Sequence, residues 1–163
     1  MNEHAPAIFV ALEASAFGNA IRQSTWLYMA ANVGHILSLV VFASGIAVID
    51  LRMAGMLAAT APGQILKVFR RVVGIGFAGL LLTGSLLFTA EASHVILNPV
   101  FLLKLGLIAL GLANVSWFEF FVAPTLRDLP PLKALPAGAR LAGIASLAIW
   151  FVVAACGRTI AYF

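Results

Sequence analysis

One histidine, His35, stands well inside the apolar run WLYMAANVGHILSLVVFASGIAVI, which extends from Trp26 to Ile49. An ionisable side chain at membrane depth is expensive to keep there and marks a functional site by default. Tyr28, Asn32 and His35 follow i, i+4, i+7 spacing and so share one face of a helix. Cys156 and Arg158 stand near the far end of the last apolar run, and Lys104 stands one turn inside the third. Glu91 and His94 belong to the connection between the second and third runs. The imidazole of His35, the thiol of Cys156 and the thioether of Met29 would suit copper, and a lone imidazole is a candidate haem ligand. Tyr28, Asn32 and His35 are thus candidate cofactor-binding residues, with His35 and Cys156 as candidate metal ligands. Glu91, His94, Lys104 and Arg158 would complete an outward-opening polar pocket. A simpler account has His35 and Asn32 bonding across a helix interface, Lys104 and Arg158 snorkelling, and Cys156 filling space.

The elements that would position these residues follow from composition. The chain has 163 residues, of which 63% are hydrophobic and only 10% charged, and its mean hydropathy is +1.06. Soluble domains carry about 25% charged residues. This is the composition of a polytopic membrane protein. A hydrocarbon core about 30 Å thick needs about 20 apolar residues per helix, so the length accommodates four spans in a single membrane domain, 1–163. Cys156 is the single cysteine, which excludes an intramolecular disulfide and CxxC chemistry.

Taken in order, the first residues lack the basic n-region of a signal peptide, having Glu3 and His4 there, and Glu13 interrupts their apolar run. They are expected to remain on the mature protein as a short interfacial helix over about 6–18, opened by Pro6 and ended by Gly18. Spans are expected at about 26–49, 72–90, 100–122 and 141–163. Asp50 and Arg52 would lie at or beyond the boundary that closes the first. Pro62-Gly63 reads as loop, and Lys67, Arg70 and Arg71 as an interfacial turn before the second span. Gly74, Gly76, Gly79 and Gly84 suit close helix packing. Asn98-Pro99 opens the third span, which carries Asn114, and four prolines from Pro124 to Pro136 stiffen the third connection.

Basic residues are distributed unevenly on this map. Arg52, Lys67, Arg70, Arg71, Arg127, Lys133 and Arg140 share one side, against Arg22, Lys104 and Arg158 on the other. Seven against three predicts that both termini and the Glu91 to Pro99 connection face outward, into a periplasm if the source is a Gram-negative bacterium. The formal charge of +4 is then a topology signal and not a nucleic-acid footprint. His35 would lie about 13 Å below Trp26, in the outer half of the bilayer.

WLYMAANVGHILSLVVFASGIAVIDLRMAG, with AGLLLTGSLLF and NPVFLLKLGLIALGLAN, resembles a family of uncharacterised small bacterial inner-membrane proteins. That family is more distantly similar to the membrane part of copper-resistance D-type proteins and to four-helix b-type cytochromes. The resemblance covers roughly Leu12 to Phe118 and implies a fold, not an activity. It carries over His35 with Asn32, and Asp50 with Arg52 as an inner-boundary pair. Relatives often place a histidine after the phenylalanine that ends the third-span motif; here Glu119 follows Phe118, so no ligand is implied at that end.

The expected fold is therefore all-α, an integral membrane bundle of four transmembrane helices with a short N-terminal interfacial helix. No nucleophile with its base, phosphate loop or HExxH helix is legible, so a non-enzymatic role is expected. Three readings fit: a protein holding a metal such as copper, a haem or a small ligand around His35; a b-type cytochrome serving as a redox subunit; or an accessory subunit docking a periplasmic partner. The lipid bilayer is the expected surrounding, with a homo-oligomer or membrane partner open and no nucleic acid.

Overall fold

The computed structural model describes residues 5–162; Glu3, His4 and Phe163 fall outside them. All regular structure among the described residues is helical, and four helices are long and apolar enough to cross a membrane. The protein is a multi-pass membrane protein. Large apolar side chains such as Val40, Ile75, Leu82 and Phe151 stand exposed on the bundle surface, where they meet lipid.

The N-terminal segment forms two short helices, α1 (Ala7–Ala14) and α2 (Ala16–Gln23), where a single one was expected. Ser15 separates them because its extended backbone lets its Oγ accept from Gly18 N–H at 3.0 Å, capping α2. Gly18 therefore sits inside α2 and does not end it. Its helix comes so close to α1 that a Cβ at Gly18 would lie 2.7 Å from the Glu13 carbonyl oxygen.

The first long helix, α3 (Thr25–Met53), starts on the Ser24 cap, whose Oγ accepts from Leu27 N–H. The second, α4 (Pro62–Ala90), begins well before the expected span because Pro62 occupies its first turn. Proline suits that position, having no N–H to leave unpaired there. Lys67, Arg70 and Arg71 consequently ride on α4 itself. After a four-residue turn, α5 (Ala92–Val95), α6 (Pro99–Trp117) opens with the Asn98 side chain accepting from Val100 and Phe101 N–H. A π-helical turn, Phe118–Val122, and a 3₁₀ turn, Ala123–Leu126, prolong it. The last long helix is α7 (Ala137–Thr159).

Glycines set how these helices pack. A Cβ at Gly76 of α4 would lie 2.5 Å from the Phe42 backbone nitrogen of α3, and one at Gly143 of α7 would lie 2.7 Å from Met53 Cβ. Only glycine allows those approaches, which bring α3 against both α4 and α7. The fourth neighbour, α6, packs on α7, where Trp150 lies across Gly111. In contrast, α4 and α6 do not pack against each other along their lengths.

This packing also sets the surroundings of Asp50 and Arg52. Asp50 and Arg52 are both buried, because α3 continues to Met53 and α7 closes over its last turns through Gly143. Arg52 is 1% exposed, and its Nε donates to the Thr60 carbonyl at 2.9 Å, pinning the connection back onto the bundle. Asp50 and Arg52 form no ion pair: two residues apart, they leave the helix in different directions. Leu132 N–H donates to the Ala58 carbonyl at 2.8 Å and so joins the two connections at this end.

Candidate functional site

The Tyr28, Asn32 and His35 stripe exists, but its members turn to local partners. Tyr28 Oη donates to Glu91 Oε1 at 3.0 Å, and Asn32 Nδ2 donates to the Tyr28 carbonyl at 3.3 Å. His35 is half-buried against α4, its Nδ1 2.9 Å from Thr83 Oγ1, while Thr83 Oγ1 lies 2.6 Å from the Gly79 carbonyl. A hydroxyl has one proton, and the shorter contact claims it. Nδ1 therefore carries the imidazole proton and donates to Thr83, which leaves Nε2 as the unprotonated nitrogen of neutral His35.

Of the remaining candidates, Lys104 lies close enough to His35 for their charges to interact. Lys104 is half-buried, with its ammonium over Gly157 beside buried Cys156. Arg158 turns away to Tyr162, donating to its hydroxyl at 2.7 Å and covering its ring. Glu91 is held by the Tyr28 hydroxyl and pairs with neither Lys104 nor Arg158. His94 is exposed at the rim of a shallow recess with Glu13, Arg22 and Glu91. Among the described residues no three His, Cys, Asp or Glu side chains are grouped to hold a metal ion.

Glu13, which interrupted an apolar run in the sequence, proves to be an anchor. It is 2% exposed; its carboxylate accepts from the Ser93 N–H at 2.8 Å and hydroxyl at 2.5 Å, and pairs with Arg22 at 2.8 Å. Burial pushes its carboxyl up, but the two Ser93 bonds and the Arg22 charge outweigh this and hold it below the ordinary carboxylate value. The sign follows by linkage: this stabilisation is full above the unfolded value and is lost as pH falls through the lowered folded one. Glu13→Ala should loosen α1 and α2 from the bundle at neutral pH by about 1–3 kcal/mol. Hydrogen exchange over residues 7–23 should rise in that variant, and in the wild type only in acid below the ordinary carboxylate range. Unchanged exchange in the variant would show that Glu13 does not hold them.

The enclosed space in the bundle lies elsewhere, between α3, α4, α6 and α7, nearer the Asp50 end. It is a cavity of 230 Å³. It exists because α4 and α6 do not pack along their lengths. At one end the Phe88 and Phe101 rings stack with centroids 5.4 Å apart. At the other, Arg70 makes a two-point contact with Glu119, Nε to Oε1 at 2.9 Å and Nη2 to Oε2 at 2.6 Å. Glu119 stands on the π-helical turn that follows α6. Between these clasps Gly74 of α4 contributes no side chain, and a Cβ there would meet nothing within 4 Å.

The cavity walls are aliphatic and aromatic, and the polar groups are few. Phe42, Phe77 and Trp150 stand edge to face or tilted, with centroids 4.7–6.4 Å apart. Asp50, Ser146 and Asn114 supply polarity from α3, α7 and α6. Asp50 is 4% exposed, with the Ser146 hydroxyl beside its carboxyl, and its Oδ2 has no hydrogen-bond partner among the described residues. Asn114 spends its Nδ2 on the Ala142 carbonyl at 3.1 Å, leaving its Oδ1 as an acceptor. An apolar chamber with a few convergent polar groups is the usual form of a small-molecule site.

None of Asp50, Ser146, Arg70 and Glu119 was singled out by spacing. Asp50 was disguised as a boundary charge by Arg52 nearby. Polar Asn114 and Ser146 inside two other apolar runs were the available signal that a partner was needed at that level. The Arg70 and Glu119 contact joins residues far apart in the chain and leaves no local trace.

No curated protein and no solved structure matches the chain. Similarity to copper-resistance D-type proteins or b-type cytochromes finds no support among these comparisons. Residues 8–163, which include every helix from α2 to α7 and all residues lining the cavity, match the family of unknown function DUF6644, and the chain belongs to that family.

Proposed function

We propose that this protein is a non-enzymatic binding protein of the bacterial inner membrane, which holds a small, largely apolar molecule in the cavity between α3, α4, α6 and α7. The observation that carries this is a buried carboxyl, Asp50, with an unmet hydrogen bond beside a chamber whose other walls are largely apolar, both aliphatic and aromatic. A buried polar atom left without a partner costs about 1–3 kcal/mol, more if charged. A ligand group that meets it recovers that energy.

Access fits the same assignment. The seam between α4 and α6 faces the hydrocarbon, so a molecule dissolved in lipid reaches the chamber sideways without crossing water. A volume of 230 Å³ suits a ligand of about one aromatic ring with a short substituent, since a cavity of about 150 Å³ admits benzene. Metal or haem at His35 has less support: Nε2 is free, but among the described residues it has no set of companion ligands. The excess of basic residues at the Asp50 end supports a cytoplasmic location for that end. Reporter fusions at Gly63 and Ser93 should then read inside and outside respectively, and the reverse would overturn the orientation.

The binding assignment is tested with a fluorinated aromatic probe on the purified protein in detergent, read by fluorine NMR. Gly74→Leu fills the cavity mouth and should abolish probe binding. Gly106→Leu, on α6 outside the cavity and equally free of neighbours, should leave it intact. Equal binding in both variants would show that the probe partitions into detergent or surface grooves, and would sink the assignment.

A further inference from the structure

We infer, granting that the cavity is a binding site, that its ligand is a lipophilic amine taken up in its protonated form, the ammonium resting on Asp50 and the ring among Phe42, Phe77 and Trp150. Three features of the chamber select this class. First, the interior of the chamber, away from Arg70 at its exposed margin, offers open acceptors: Asp50 Oδ2 has no partner among the described residues, and Asn114 Oδ1 is left over when its Nδ2 bonds Ala142. A ligand must therefore bring donors. Second, no cation among the described residues is ion-paired to Asp50. Arg52 extends to Thr60 instead, and Arg70 at the cavity margin is engaged by both oxygens of Glu119. An ammonium group supplies the missing charge, and a charge-assisted bond is worth about twice a neutral one.

Third, the walls suit a cation attached to a ring. Phe42, Phe77 and Trp150 line the chamber, and the negative potential over an aromatic face attracts an ammonium and repels an anion. Such a molecule also partitions into lipid, which is where the α4 and α6 seam opens. The Arg70 and Glu119 clasp then stands at the threshold, where the two helices would have to part for entry.

The test compares three probes of matched shape on the full-length protein in detergent: phenethylamine, phenethyl alcohol and phenylacetate. The expected result is that the amine binds about tenfold or more tightly than the alcohol, the difference between a charged and a neutral hydrogen bond, and that phenylacetate does not bind. Asp50→Asn should bring amine and alcohol to parity while alcohol binding stays as in the wild type. Gly74→Leu should remove both. If neither amine nor alcohol binds the wild type, or if Gly74→Leu leaves both undiminished, the cavity is not a binding site. If both bind and Gly74→Leu removes them, but the alcohol equals the amine or Asp50→Asn keeps the amine preference, the site stands and the amine assignment is overturned. Tighter binding of phenylacetate would also overturn it.

Discussion

Asp50→Leu is expected to raise the thermal stability of the protein while ending selective ligand binding. The carboxyl is 4% exposed, with one oxygen lacking a hydrogen-bond partner among the described residues. Removing a buried, incompletely paired ionisable group in favour of a well-packed apolar one is often stabilising by about 1–4 kcal/mol. Leucine has room to extend into the adjoining 230 Å³ chamber, and it adds apolar contact with Phe42 and Trp150. Ser146, released from Asp50, can turn its hydroxyl onto the Ala142 carbonyl one helical turn back. The measurement is a thermal melt of both proteins in one detergent, followed by size-exclusion fluorescence. A rise of several degrees would mark Asp50 as a residue retained at the expense of stability, as functional groups commonly are. A clear fall would instead assign the carboxyl a structural bond that holds α3 to α7.

The second large effect separates two glycines that stand two residues apart, on opposite sides of one helix. Gly76→Ala places a methyl group 2.5 Å from the Phe42 backbone nitrogen and 2.7 Å from its Cα, and backbone cannot move aside as a flexible side chain can. Separation of α3 from α4 should cost about 3 kcal/mol, the upper part of the range for overpacking. Gly74→Ala meets nothing within 4 Å, and alanine is the better helix former by about 1 kcal/mol. It should therefore melt at or above the wild-type temperature. Equal melting temperatures for the two variants would mean that α3 and α4 do not approach as closely at Phe42 as described.

Some of this was legible before any coordinates. Apolar runs of bilayer length fixed the all-helical class, because in hydrocarbon every backbone N–H and C=O must be satisfied within its own segment. Asn98-Pro99 announced the start of α6, and the glycines of the second run announced its packing face: Gly76, Gly79 and Gly84 meet Phe42, Ser38 and His35 of α3 in turn. Local chemistry was sufficient for these features. It was misleading for Pro62, which reads equally well as a loop residue or a helix start, and for Ser15, whose capping bond divides one expected helix into two.

The site was hidden for a different reason. His35 drew attention because it is ionisable and central in its run, yet Thr83 satisfies its Nδ1 and it does not line the cavity. Asp50 looked like an ordinary charge at a helix end. Whether a helix end is wet or buried depends on what packs over it, and here that is α7 through Gly143.

The sequence by itself determined that this chain crosses a membrane as helices, which residues are costly at depth, and which faces are small enough to pack. These are consequences of hydropathy, spacing and capping, and each is a property of a segment. Only the tertiary structure decided that α3 is gripped on two sides while α4 and α6 stay apart, and that Arg70 reaches Glu119. The chamber beside Asp50 is the space left by that pattern of contacts, and a space between four helices is encoded in none of them alone.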